Sequence, residues 1–406
     1  MRLWNYVIMD EKYMNMEMSG GVRKHARVDA ADVLRGFSVL AIVLLHSIEH
    51  FNFYKFPEAS TRGWLAVADR AVWDSLFFAF SGKAYAIFAL LFGFSFFVQD
   101  YNQRMRGADF RLRFCRRLVA LFVIGCVDAC FFTAEILVMY SLIGFVLVPA
   151  CRLSNRAVAW LAGVCLAQPV CLYYIVRLLA DGTYAVPAVD EGPLWRATWA
   201  AQDAGSFVEM LRVNLWEGQL ASLAWAWNHG RIFQTAGLFL TGMLIGRQGW
   251  LLRPALPYWG RALAVAIVCY FPLEGVEKGL PTVCGGELLE QSVMLVHSLS
   301  NLCLMVMWVA GILFALYCTT GLQRVLRLLI PYGKMSMTNY VTQGMVGSLL
   351  FYHWGLHLCP GIAESALIGV GIFVVQYAFC RAWTSRHSHG PFEGLWRRMT
   401  WGRLRG

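Results

Sequence analysis

The chain has 406 residues, of which 58% are hydrophobic and 15% charged, with a formal net charge of +10. That balance excludes an ordinary soluble domain, in which about a quarter of the residues are charged. It also forbids reading the positive charge as nucleic-acid binding before the basic residues are placed, because multi-span proteins gather Lys and Arg on the cytoplasmic side.

Residues 1–28 are polar and Met-rich, with no apolar run leading to a small-residue cleavage site. They are expected to form a cytoplasmic segment without a cleaved signal peptide, and Met16 and Met18 offer alternative starts.

The first apolar run, 33–53, carries Arg35 near its start and His46 deep inside. Eleven residues is close to three helical turns, so both side chains leave one face, about 16 Å apart along the axis. With Arg35 at one interface, His46 falls near the middle of a hydrocarbon core about 30 Å thick. Ionisable groups at that depth are costly and mark functional candidates. The plainer alternative makes Arg35 an interface anchor paired with Asp32, and His46 a hydrogen-bonded packing residue.

Nine further runs follow near 76–98, 113–132, 136–153, 157–180, 231–249, 261–277, 293–320, 335–357 and 362–383. Their connections alternate in charge. One set holds Arg104, Arg106, Arg111, Arg113, Arg116 and Arg117, then Arg152 and Arg156, then Arg247, Arg253 and Arg261, then Arg324, Arg327 and Lys334. The N-terminal segment adds Arg23, Lys24 and Arg27, and the tail adds Arg381, Arg386, Arg397, Arg398, Arg403 and Arg405. The other set is acidic or balanced: Glu135; residues 181–217; and Glu274, Glu277, Glu287 and Glu290 against Lys278. Strict alternation places both termini in the cytoplasm and removes the nucleic-acid reading. The expected fold is an all-α polytopic membrane helix bundle of about ten transmembrane helices. It divides into residues 1–28, a transmembrane domain at 29–383 and a basic cytoplasmic tail at 384–406.

The one long outer connection, 181–230, contains Trp195, Trp199, Trp216, Trp225 and Trp227, with Phe207, Met210, Leu211 and Leu215 at helical spacing. It is expected as a helix lying in the outer interface, either an aromatic anchor or a lid over an acceptor site. Gly242 and Gly246 form a GxxxG expected to pack helices. The twelve cysteines lie mostly in apolar runs without a CxxC pair and read as packing residues.

Polar residues inside the runs include Glu49, His50, Lys83, Asp128, Glu135, Arg231, Gln234, His297, Asn301, Asn339, Gln343 and Gln376. Glu49 and His50 stand one turn above His46. Lys83 either snorkels outward or reaches the His46 cavity. His297 with Asn301, and Asn339 with Gln343, share helix faces, where interhelical hydrogen bonding is the structural alternative. His46-Ser47-Ile48-Glu49-His50 also fits the H-x-x-E-H of inverzincins, but no third ligand accompanies it and no metal is expected.

Asp32, Leu-Arg35-Gly and His46 in R-x10-H spacing resemble the first helix of the membrane acyltransferases that O-acylate surface glycans. In that family the arginine and histidine are functional. The rest of the chain resembles the YeiB-like bacterial membrane proteins (domain of unknown function 418). The matching pieces are Gly82-Lys83 with Leu91-Phe92-Gly93, Arg116-Arg117-Leu118 with Gly125, and Ile136-Leu137 with Tyr140 and Gly144. Further on come Gly333-Lys334 through Asn339-Tyr340 with Gln343, and Gly390-Pro391-Phe392-Glu393 with Leu395-Trp396-Arg397. That group is linked by fold to heparan-type transmembrane acetyltransferases, and some members are labelled transporters. Three positions depart from its pattern: His46 replaces an asparagine, Asp128 a histidine and Glu135 an aspartate.

The resemblance implies an acyltransferase in the bacterial inner membrane, moving an acyl group from cytoplasmic acyl-CoA, acetyl-CoA first, to an outer hydroxyl or amine. Arg35, Lys83, Arg116 and Arg117 would hold the donor. His46 would act as base or acyl carrier, oriented by Glu49 or Asp128. His50, Glu135, His297, Asn301, Asn339 and Gln343 would meet the acceptor. The expected partners are the lipid bilayer, a small-molecule or glycan acceptor and a second copy in a homodimer. The alternative is a transporter with a midplane proton or solute site.

Overall fold

The computed structural model describes residues 29–52, 55–61, 63–252 and 255–402. Arg23, Lys24, Arg27, Arg253, Arg403 and Arg405, named above, lie outside them. Regular structure among the described residues is helical, and helices stand at every apolar run read from the sequence.

Helix α1, Asp29–Ile48, is the axis of the bundle. Asp29 and Asp32 in its first turn suit the positive end of the helix dipole. From Ala30 to Asn52 no residue is exposed, as expected of a helix apolar on all sides. The chain then breaks off with His50 and Phe51 both at positive φ (52° and 53°).

Around α1 pack α2 (Gly63–Phe80), α3 (Ala84–Arg104), α13 (Gly286–Cys318), α14 (Thr320–Arg327), α15 (Ile330–Lys334), α16 (Ser336–Phe351) and α17 (Ile362–Thr384). The outer members are α4 (Arg111–Ala129), α5 (Leu137–Ala150), α6 (Asn155–Leu166), α7 (Pro169–Ala180), α11 (Arg231–Gln248) and α12 (Leu256–Val283). Bare glycine faces allow the closest seams. A Cβ on Gly242 would run into the Leu90 carbonyl, one on Gly93 into the Phe239 carbonyl, and one on Gly333 into the Asp32 carbonyl. The expected packing role of Gly242 and Gly246 is met by α3, where Gly246 faces Phe97.

Among the described residues, five helical stretches are long and apolar enough to cross a membrane: Asp29–Ile48, Gly63–Arg104, Leu256–Val283, Gly286–Cys318 and Ile362–Thr384. A sixth is Asn155–Leu166 with Pro169–Ala180, bent by 51°. Pro169 lacks an N–H and pushes its predecessor out of the helical region, and Gln168 sits at φ 56°. The remaining runs form helices that are shorter or more charged: α5, α16, the arginine-rich α4, and α11 between Arg231 and Arg247.

Three segments differ from expectation. The run at 76–98 straddles a break: α2 and α3 are separate helices, parted by Ser81–Lys83 with Gly82 at φ 74°. Asp69, Arg70 and Asp74 interrupt the apolar pattern of α2 and hid it. Buried Asp69 is its anchor, accepting the N–H groups of Ser60 and Ala363 at 2.8 Å each.

Residues 181–230 are not one interfacial helix. They form α8 (Gly192–Ala204), α9 (Phe207–Val213), a π turn at Asn214–Gly218 and α10 (Gln219–Asn228). These pack into a cap over the end of α4, where Asn214 Nδ2 donates to the Cys130 carbonyl and Gln219 Nε2 to that of Thr133, both at 3.1 Å. Met210 of the cap joins Val43, Phe51, Phe132 and Tyr352 in one apolar cluster.

The tail carries α18, Pro391–Trp401, docked on the bundle. Trp396 donates its Nε1–H to the Arg117 carbonyl at 2.8 Å, and the Arg117 guanidinium lies 3.3 Å from the Trp396 ring centre.

Candidate functional site

One end of α1 opens on a cavity of about 200 Å³ whose polar lining is Arg35, Arg117, Lys334, Ser336, Gln99 and Glu393. Arg35 is held by Asp32 Oδ1 at 2.8 Å and donates to Ser95 Oγ at 2.7 Å. Glu393 Oε1 accepts the N–H groups of Met337 (2.8 Å) and Thr338 (3.1 Å), and Oε2 the Thr338 hydroxyl (2.6 Å). Burial pushes the Glu393 carboxyl above its usual value, against the downward pull of those hydrogen bonds. Phe88, Phe92, Phe96 and Phe114 form an aromatic throat behind this polar mouth, and the lining ends at Leu137 and Tyr140. Sequence reading missed Lys334, Glu393 and Trp396 as site residues, although their motifs were visible.

Three turns along α1, the His46 ring is surrounded by aromatic rings, with centroids at 4.5 Å (Phe132), 5.6 Å (Phe51) and 6.5 Å (Tyr340). Its Nδ1 is buried without a partner. Asp128, fully buried, has no partner on either oxygen, and neither the amide oxygen nor nitrogen of Gln343 has one. A Cβ on Gly344 would stand 2.9 Å from Asp128 Oδ1 and 3.3 Å from Phe132 Cβ, which places Asp128 against α16 beside Gln343. His46 and Asp128 therefore both lie beside Phe132, with Tyr340 near the His46 ring and Gln343 next in sequence to the Gly344 that Asp128 touches. Buried polar groups are normally bonded, so a cluster of orphans in a core needs an occupant or a transient state to explain it. Glu49 follows one turn on, part-buried.

The Arg35 cavity stops short of His46: its lining reaches Tyr140 and does not include His46. The physical reason is the aromatic layer between them: Phe88 stacks within 6.1 Å of Tyr140 and 6.3 Å of Tyr340.

At its other end α1 meets a second cavity, of about 490 Å³, lined by His50, Glu58, Ser60, Cys359 and Glu364 among others. His50 Nε2 lies 2.7 Å from Ser365 Oγ, and the ring stacks on Phe351 at 4.6 Å. His46 and His50 thus diverge, and no metal-sized group of three His, Cys, Asp or Glu exists among the described residues.

Glu135 stays within electrostatic reach of Asp128 and Tyr340, but its oxygens cap α5, accepting the N–H groups of Leu137 and, at 2.8 Å, Val138. The other expected residues fall elsewhere. Asn339 is spent on packing: it donates to the Tyr332 carbonyl at 3.0 Å and accepts from Cys380 Sγ at 3.2 Å. Arg116 is exposed on the far side of α4. His297 is exposed too and pairs with Glu277 at 3.1 Å. Asn301 lies against Gly82, the residue before Lys83, where a Cβ would come within 2.9 Å of its Nδ2, and the Lys83 ammonium stands 5.8 Å from the Phe78 ring centre.

Among the described residues, an all-helical bundle with several helices long and apolar enough to cross a membrane, wound on a buried helix that carries an arginine and a histidine, is consistent with a membrane helix bundle. The family model described as "Protein of unknown function (DUF418)" matches residues 245–403. The chain is 27% identical over 402 residues to the uncharacterized protein YxaH of Bacillus subtilis (strain 168), covering 92% of this chain and 94% of that one. To an uncharacterized 39.9 kDa protein of Bacillus acidopullulyticus it is 25% identical over 386 residues (93% and 94% covered). To the uncharacterized protein YeiB of Escherichia coli (strain K12) it is 23% identical over 388 residues (91% and 95% covered). The chain is thus similar over nearly its whole length to YeiB-like proteins, and over residues 245–403 to the DUF418 family model. The matched region contains Lys334, Gln343, Glu393 and Trp396; Arg35, His46 and Asp128 precede it.

Proposed function

We propose that the protein is an acyltransferase-like protein of the bacterial cytoplasmic membrane, crossing it ten times with both termini inside. It would move an acyl group from cytoplasmic acyl-CoA, acetyl-CoA first, to a hydroxyl or amine on the outer side. The alternation of basic and acidic connections supports that topology.

The observation that carries the reading is the cavity at the Arg35 end. Arg35, Arg117 and Lys334 suit the phosphates of the donor, and the aromatic throat suits its uncharged thioester arm. About 200 Å³ accommodates the arm and leaves the nucleotide at the mouth. For transfer, the layer of Phe88, Tyr140 and Tyr340 must part so that the thioester reaches His46. The acceptor oxygen or nitrogen then attacks the thioester carbonyl and His46 takes its proton. The carbon–sulfur bond breaks, and the departing thiolate is protonated in turn.

Purified full-length protein given acetyl-CoA is expected to release free CoA thiol, and to stop doing so in His46→Ala while its gel-filtration profile stays monodisperse. Turnover undiminished in that variant would remove His46 from the chemistry. One observation favours a second reading, transport: two cavities approach opposite ends of α1 with the Phe51–Phe132–Tyr340 layer between them. Solute uptake into proteoliposomes without loss of thioester would select it.

A further inference from the structure

Away from both cavities, α3 and α11 begin side by side with cations at their starts and no side chain capping either. Lys83, just before α3, is 5% exposed, and no hydrogen bond or ion pair engages its ammonium among the described residues. Its nearest described neighbour of note is the Phe78 ring at 5.8 Å. Arg231, the first residue of α11, donates through Nη1 to Gln234 Oε1 at 2.7 Å and to the Tyr85 hydroxyl at 3.1 Å. Its Nε is buried with no acceptor. Asn301, 3% exposed and next to Gly82, likewise holds out an Nδ2 with no acceptor.

The unmet groups of Lys83, Arg231 and Asn301 are all donors, two of them cationic, and Lys83 and Arg231 lie within each other's field. The carboxylates in reach of Lys83 are Glu274 and Glu277 of α12. Each already has a partner of its own, Lys278 at 3.4 Å and His297 at 3.1 Å, although Glu277 keeps one oxygen unbonded. Gathering like charges and unpaired donors in a core is expensive unless something supplies acceptors. The free N–H groups at two helix starts add to the same preference for negative charge.

The surroundings are built to hold this arrangement. Gln168 and Gln234 both donate to Ser298 Oγ, at 3.0 and 2.8 Å, which turns the Gln234 oxygen toward Arg231. Trp225 of the cap lies over the Arg231 guanidinium at 5.5 Å, with Tyr85 at 5.1 Å.

We infer that Lys83, Arg231 and Asn301 form a binding cradle for a small oxyanion, a carboxylate or a phosphate group, beneath the edge of the cap. The site is separate from the acyl-transfer reading and stands whether or not that reading holds.

The test uses purified full-length protein carrying Arg117→Gln, so that the Arg35 cavity contributes little, and titrates inorganic phosphate against chloride at fixed ionic strength. A saturable rise in the thermal unfolding midpoint is expected. Lys83→Met should weaken it about tenfold or more, Lys83→Arg should keep it, and Asn301→Ala should weaken it less. If Lys83→Met does not fold, Asn301→Ala carries the comparison. A response to acetate in place of phosphate supports the cradle and identifies a carboxylate ligand. The inference is overturned if neither anion has a saturable effect, if Arg117→Gln alone abolishes it, or if the lysine and asparagine variants bind as tightly as their parent.

Discussion

The two ends of the Arg35–His46 line are built in opposite ways. Around Arg35 most of the charges are bonded, Lys334 apart: Arg35 to Asp32 and Ser95, Arg117 to the Trp396 ring, and Glu393 to the start of α16. Around His46, polar atoms of Asp128, Gln343 and the histidine itself are buried and unmet. The first region behaves as finished structure; the second gives up stability that only a ligand, a moving water or a change of shape returns. Such a concession is what a working site looks like and a packing site does not.

Substitutions sharpen that contrast. The largest effect belongs to His46→Ala, for which we expect CoA release to fall about 100-fold or more with the fold retained. Next comes Glu393→Ala, which removes three hydrogen bonds to the start of α16 and should cost about 2–3 kcal/mol, read as a lower unfolding midpoint in detergent. Asp128→Val should go the other way and raise the midpoint, by the equivalent of about 1 kcal/mol, because a buried polar group without a partner gives way to an apolar one. A fall of the same size would show instead that Asp128 has a partner and that the contrast is false.

Trp396→Leu removes the ring beneath Arg117 and should cost about 1 kcal/mol. The smallest effect is one of pH in the cap. Burial pushes the Glu191 carboxyl from 4.5 up to about 7, with Asp190 adding to the shift and Trp195 opposing it. A carboxyl raised on folding favours the protonated folded form. Its contribution is complete below the unfolded value and is lost as pH rises through about 7. Amide exchange in residues 192–228, corrected for its intrinsic pH dependence, should show protection falling over that range. Glu191→Gln should flatten it.

Helix positions were legible wherever the apolar pattern ran unbroken, as at α1 and α17. They were not legible at α2, whose Asp69, Arg70 and Asp74 read as a connection because the partners of Asp69 lie at Ser60 and Ala363. Spacing put Arg35 on one face with His46, three turns away, but the cavity it lines came only with the structure. His46 was found, but its wall of Phe51, Phe132 and Tyr340 comes from three separated segments and leaves no local trace. Face-sharing misled at His297: it pairs with Asn301 in sequence, yet the helix turns one toward Glu277 at the surface and the other toward Gly82. Glu135 carried no sign that its oxygens would be consumed by the next two backbone amides but one, those of Leu137 and Val138.

Because Glu393 and Trp396 of α18 form part of the wall around Arg35, that cavity is completed by a stretch of chain far removed from the helix that opens it. With α1 through α17 in place and α18 undocked, Arg117 and the first turn of α16 would lose their cover. The cavity is therefore a late product of assembly, formed only when distant parts of the chain come together.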